Sequence, residues 1–210
     1  ERDFAVVSVP VTYGQMLAVH PSVPANSIAD LVALARQKKL NYASGGNGTP
    51  SHLTYAYFLA TAGIDMNHIP YKGTGQSIVD VVGGQVETIF AVTTGVLPHV
   101  KAGRLRALGV SSTQRSTLAP EVPTVSEAGF KDFDAAFAYA VMLPPRTPNE
   151  IVQALSREIR AAHRLADVQE KNRLFDYAAT DMDPQQSADW LKQRREHWTR
   201  VVQRAGISAD

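Results

Sequence analysis

The sequence predicts an α/β fold with a parallel-rich sheet and helices on its faces. Three observations carry that expectation. Between residues 13 and 110, short apolar runs alternate with segments of helical periodicity, the pattern of strands joined by crossover helices. Most helical segments open on a capping residue or a proline and close near a glycine. The chain has 210 residues, 44% hydrophobic and 20% charged, enough apolar material for one large domain or two small lobes.

Taken in order, Phe4 to Val11 reads as a strand and Gln15 to Val19 as a second, apolar one. Ser27-Ile28-Ala29-Asp30 resembles a capping box, and Ile28, Leu31 and Leu34 then fall on one helical face. A strand at Asn41 to Ser44 leads through a glycine-rich turn into a helix with Leu53, Ala56, Tyr57 and Ala60 on one face, closed by Gly63. Met66 to Tyr71 is another short strand, followed by a helix carrying Ile78, Val81 and Val82 that ends at Gly83-Gly84. Val86 to Val92 reads as a buried strand, Thr93 to Ala102 as a helix interrupted by Pro98, and Leu105 to Val110 as a strand. Thr124-Val125-Ser126-Glu127 is a capping box for one short turn. Phe133 to Leu143 is an apolar run long enough to cross between lobes. Thr147-Pro148-Asn149-Glu150 starts a helix carrying Ile151, Leu155, Ile159 and Ala162, and Asp183-Pro184-Gln185-Gln186 starts the last one. The middle of the chain therefore supplies a complete α/β lobe. The two ends supply two strands and two or three helices, so the second lobe is incomplete or mostly helical.

The stretch Leu40 to Leu53 is the most informative. Its turn, Gly45-Gly46-Asn47-Gly48, tolerates positive φ, Thr49 suits an N-cap, and Pro50 suits the first helical position. The N–H groups that follow point out of the helix's positive end, a ready anion site. Ser44, Thr49 and Ser51 add neutral hydroxyls, and the loop holds no charged side chain. One reading is a receptor for a carboxylate; the other is an ordinary capped strand-to-helix turn.

Composition narrows the function classes. Lys plus Arg number 21 and Asp plus Glu 20, a net charge of +1, so nothing draws the chain as a whole to nucleic acid. There is no cysteine, which removes disulfides, thiolate metal sites and cysteine nucleophiles. No apolar run reaches membrane-spanning length. The six histidines, at 20, 52, 68, 99, 163 and 197, form no His-Glu-x-x-His zinc motif, and neither a P-loop nor a Gly-x-Ser-x-Gly elbow occurs. No catalytic residue, metal site or cofactor is expected. The chain starts at Glu1 rather than Met, the mark of a processed or trimmed product.

Several segments together resemble a known family: Asn41-Tyr42-Ala43-Ser44-Gly45-Gly46-Asn47-Gly48-Thr49 with Ser51-His52-Leu53, His68-Ile69-Pro70-Tyr71-Lys72-Gly73, Gly83-Gly84-Gln85-Val86, the run from Leu97 to Leu108, and Val122 to Gly129. This ordered set is similar to the substrate-binding proteins of tripartite tricarboxylate transporters, also called Bug receptors. The resemblance implies a periplasmic-binding-protein fold of type II, with the central lobe at about 13–134 and the other lobe made by 1–12 and 135–210. It implies a periplasmic receptor that passes a small carboxylate or related metabolite to membrane transporter subunits without chemistry. By resemblance the loop from Ser44 to His52 holds the carboxylate, through Ser44, Gly46, Asn47, Gly48, Thr49, Ser51 and His52. Tyr71 and Gly73 are expected to line the cleft outside the strand ends. Thr93 and Tyr139 are further candidates for which packing is an equal reading.

Two departures from the family pattern bear on these expectations. The acidic residue that family members often carry after the position of Phe90 is Ala91 here, which implies a less polar ligand on that side. Upstream strand–loop–helix units of the family, with the opposing ligand loop, are expected ahead of the segment matching Glu1. Without them the expectation is that copies associate through the incomplete lobe or that its terminal elements stay partly mobile, and that these 210 residues alone bind carboxylates weakly. The same architecture also serves as the effector domain of transcription regulators, and an α/β enzyme with a nucleophile–base pair is a further alternative.

Overall fold

Gln15–Val19 is a run of five residues, every one buried, and it lies inside a five-stranded sheet. The computed structural model describes residues 3–207. In chain order the elements are β1 (Ala5–Tyr13), β2 (Gln15–Val19), α1 (Ile28–Gln37), β3 (Asn41–Ser44), α2 (Pro50–Ala62), β4 (Asn67–Pro70), α3 (Thr74–Val82), β5 (Thr88–Val92), α4 (Thr93–Lys101), β6 (Arg106–Val110), β7 (Phe137–Leu143), α5 (Asn149–Ala162), α6 (Ala166–Leu174), β8 (Ala178–Ala179) and α7 (Pro184–Ala205). They fall into two units. One comprises Gly14–Ala136 with the residues from Arg200 on; the other comprises the chain up to Tyr13 with Phe137–Thr199.

The larger unit is built on a sheet of order β4-β3-β5-β2-β6. β3 pairs in parallel with β4 and β5, while β2 is antiparallel to both β5 and β6. Four strands thus point one way and β2 alone points back, so the sheet is mixed. This direction rule positions the site. The carboxyl ends of β3, β4 and β5 share one edge, and α2, α3 and α4 begin there. Helix α1 follows the reversed strand and begins at the opposite edge.

Strand alternation sorts the two faces. Met16, Ala18, Ala43, Ile89 and Ala91 join Ile78 and Val81 of α3 and Val96 and Leu97 of α4 in one buried cluster. On the other face Tyr42 and Phe90 meet Tyr55 of α2, at ring distances of 4.2 and 5.0 Å. Helix α1 covers the same face so closely that a Cβ on Gly109 would stand 2.6 Å from Ile28 Cδ1.

The smaller unit has a three-stranded antiparallel sheet, β7-β1-β8. Val7 and Val9 are fully buried, and the Val9 N–H donates to Ser187 Oγ of α7 at 3.0 Å. Helix α5 buries Val152 and Ser156, whereas Ile151 and Leu155, expected to face a core, are 45% and 39% exposed.

Several local expectations shift. The strand expected from Val86 starts at Thr88; Val86 is apolar because it packs into the buried cluster from a bend. The run from Phe133 is not one strand. Phe133 stacks on Tyr57 of α2 at 4.4 Å, and β7 begins only at Phe137. Helix α4 runs through Pro98 as one element, although proline has no N–H to donate to Thr94 O. Thr124 and Glu127 form their capping bonds at 2.7 and 3.0 Å, but around turns rather than a helix. Thr147 does not cap α5; its hydroxyl donates to Pro144 O at 2.8 Å and Pro148 takes the cap position.

Candidate functional site

Three helix N-termini, of α2, α3 and α4, stand on one edge of the larger unit's sheet. None has a side chain bonded to its first-turn N–H groups from the cap, and none has an acidic residue in its first turn. Helix α1, at the opposite edge, has both: Ser27 Oγ accepts from the Asp30 N–H at 3.1 Å, and Asp30 sits in its first turn. Three positive helix ends left open on one edge make it a pole for anions.

The loop between β3 and α2 is held by its own hydroxyls. Ser51 Oγ accepts from the Gly45 N–H at 3.0 Å, and Thr49 Oγ1 donates to Gly46 O at 2.7 Å instead of capping the helix. Ser44 Oγ accepts from the Gly46 N–H at 3.1 Å and pairs with His68 Nε2 at 2.6 Å. Ser44 and Ser51 are buried, so their hydroxyls shape the loop from within, while Asn47 and Gly48 stay exposed at its tip. The neighbouring turn is zipped onto it: the Tyr71 and Gly73 N–H groups donate to Ser44 O and Gly45 O, both at 3.0 Å. Gly46 has φ +123°, and a Cβ there would stand 2.9 Å from Tyr71 O. Only glycine lets the two turns meet this way.

Behind the loop the rings stack. His52 lies 4.1 Å from His68 with 6° between planes; His68 lies 4.9 Å from Tyr42, and Tyr42 4.2 Å from Tyr55. The Gly48 N–H donates to His52 Nδ1 at 3.1 Å, which fixes that nitrogen as an acceptor. Burial lowers the pKa of His52, and burial together with His52 lowers that of His68 to about 4, so both rings are neutral near pH 7. The Tyr55 hydroxyl ends the stack against Thr88 Oγ1 at 2.7 Å, and Thr88 Oγ1 donates to Ala18 O at 2.9 Å. Tyr71, whose hydroxyl donates to Asp80 at 2.8 Å, has its pKa pushed up to about 12 by desolvation and that carboxylate.

Of the residues singled out in the sequence, Ser44, Gly46, Asn47, Gly48, Thr49, Ser51, His52, Tyr71 and Gly73 come together in these two turns. Thr93 is the first residue of α4, on the same edge, and is buried. Tyr139 belongs to the smaller unit, where it stacks on Tyr13 at 5.3 Å and is 51% exposed. Ala91 faces the buried cluster. Sequence reasoning passed over His68, although alternation along β4 and its register with Tyr42 place it on the loop's side of the sheet. Among the described residues no group of three or more His, Asp or Glu is placed to hold a metal ion, and no helix is long and apolar enough to cross a membrane.

Comparison with known proteins adds a lineage. The family described as tripartite tricarboxylate transporter family receptor matches residues 1–207. A UPF0065 protein from the tcbD-tcbE intergenic region of Pseudomonas sp. (strain P51) is 32% identical over 213 residues, covering 100% of this chain and 63% of its own. Protein BugT of Bordetella pertussis is 32% identical over 207 residues, covering 98% of this chain and 64% of its own. The chain thus spans less than two thirds of the length of both relatives. The solved structure of Rpa4515 from R. palustris with adipate superposes with a TM-score of 0.88 at 29% identity, over 98% of this chain and 70% of that one.

Proposed function

The chain belongs to the tripartite tricarboxylate transporter receptor family, and from that premise we propose that it is the greater part of a periplasmic receptor for a small carboxylate. It binds its ligand without chemistry and delivers it to membrane transporter subunits. The observation that carries the reading is the pole of three open helix N-termini, free of first-turn acids, with the braced loop from Ser44 to His52 set against it. Neutral backbone donors suit a carboxylate that must be held and then released. The adipate in Rpa4515 is a ligand of that kind.

Ser44 and His68, 2.6 Å apart, have the spacing of a nucleophile and its base. Ser44 is fully buried, though, and its hydroxyl already accepts from Gly46, so the pair braces the loop and favours no enzyme.

The test uses calorimetry on the whole protein with adipate, succinate and citrate. At least one should bind. Gly75→Asp puts a carboxylate into the first turn of α3, at an exposed position where a Cβ would meet nothing within 4 Å. Such a charge favours the helix but opposes an anion at its end. The variant should keep its thermal stability and lose about tenfold or more in affinity, roughly 1.4 kcal/mol. Undiminished affinity would take α3 out of the site.

A further inference from the structure

A second observation at the same edge concerns ligand choice. Gln15 is 3% exposed, and its side-chain oxygen Oε1 is buried with no hydrogen-bond partner. Leaving such an acceptor unpaired is costly, so a buried orphan needs an explanation. The backbone around it is fully engaged. The Gln15 N–H donates to Ser111 Oγ at 2.8 Å, and Gln15 O accepts from the Ser111 N–H at 2.8 Å. The residue is therefore held in place and only its amide is unmatched.

Register and alternation say where that amide stands. Gln15 pairs with Val92, the last residue of β5, next to the first residue of α4. Because β2 runs against its neighbours, its first residue lies at the edge where α2, α3 and α4 begin. Met16 and Ala18 face the cluster under α3 and α4, so Gln15 shares the opposite face with Leu17, which pairs with Phe90. That is the face covered by α2. Its cross-strand partner Val92 is 36% exposed, so solvent reaches the strand end beside the amide.

We propose that Gln15 is a specificity-determining residue whose Oε1 accepts a hydrogen bond from a hydroxyl of the bound carboxylate, which makes the preferred ligand a hydroxycarboxylate. This rests on the receptor reading above. The pole of N–H groups takes the carboxylate, and Gln15 takes the hydroxyl beside it. A site built to bond a hydroxyl rejects the analogue without one, because the acceptor is then left buried and alone.

The experiment is calorimetry on the whole protein with pairs that differ by one hydroxyl: malate and succinate, citrate and tricarballylate, glycolate and acetate. The wild type should prefer the hydroxylated member of the pair it binds by tenfold or more. Gln15→Met keeps the length and removes the acceptor; it should abolish the preference, the hydroxylated member losing about tenfold or more in affinity. Equal affinity within the bound pair in the wild type would overturn the inference, whatever the variant does. So would a preference that survives Gln15→Met, or a variant that alters only the melting temperature, as an acceptor satisfied by buried water would. Failure of the wild type to bind any of these acids, or adipate, would instead remove the receptor reading, and this inference with it.

Discussion

Acid should loosen the loop through its two stacked histidines. His68 has its pKa lowered to about 4 by burial and by His52, against about 6.5 in the unfolded chain. A histidine whose folded value lies below its unfolded value binds its proton first in the unfolded state. Its contribution is intact above pH 6.5, is lost as pH falls from 6.5 to 4, and changes no further below that. The displacement sets a ceiling of about 3.4 kcal/mol; His68 is only half-buried, and solvent screening brings the expected loss to about 1–2 kcal/mol. His52 acts in the same direction, and a proton on its Nδ1 would also face the Gly48 N–H donor-to-donor. Urea unfolding at pH 7, 5.5 and 4.5 of the wild type and of His68→Gln, which keeps a partner for Ser44, should show the two stabilities converging as pH falls. NMR titration of the ring should place His68 well below 6. A His68 midpoint at 6.5 or above, or a wild-type-to-variant difference that ignores pH, would refute the reasoning.

Three further substitutions separate what the loop and the core depend on. Gly46→Ala meets Tyr71 O at 2.9 Å with φ at +123°, whereas Gly48→Ala has φ +71° and open space. Urea midpoints should show a loss of about 2–3 kcal/mol for the first and about 1 kcal/mol for the second. Thr88→Val leaves the Tyr55 hydroxyl buried without its 2.7 Å partner and should cost about 1–3 kcal/mol, with carboxylate affinity unchanged in calorimetry.

Much of the larger unit was legible because local signals and tertiary structure agree there. Gly45 to Pro50 reads as a strand-to-helix turn, and the chain turns there, because each residue suits its own backbone position. Asp183 and Gln186 exchange capping bonds at 2.8 and 3.0 Å as their spacing suggests. What stayed hidden is what pairing decides. Nothing in Gln15–Val19 says that it runs against its neighbours, since a wholly buried strand shows no polar face in either direction. Hydroxyl direction was hidden too. Thr49 has the composition of a cap, and only the approach of Gly46 O turns its hydroxyl inward. Phe133 reads as strand because an apolar residue covering α2 looks the same in sequence as one inside a ladder.

The reversed strand also sets a timetable. β2 is the first strand of its sheet to be synthesised, yet both of its edges are filled by β5 and β6, the last two of that sheet to appear. Until Val92 has emerged, an apolar strand waits with two open edges, and one edge stays open until Val110 follows, while β3 and β4 can already pair locally. Long waits for distant partners slow folding and leave strand edges exposed to other chains. Within the sheet β6 pairs with β2 alone, so β2 must dock on β5 before β6 can join, and a nascent or unfolded chain held before that docking offers Met16-Leu17-Ala18-Val19 as an unpaired apolar segment.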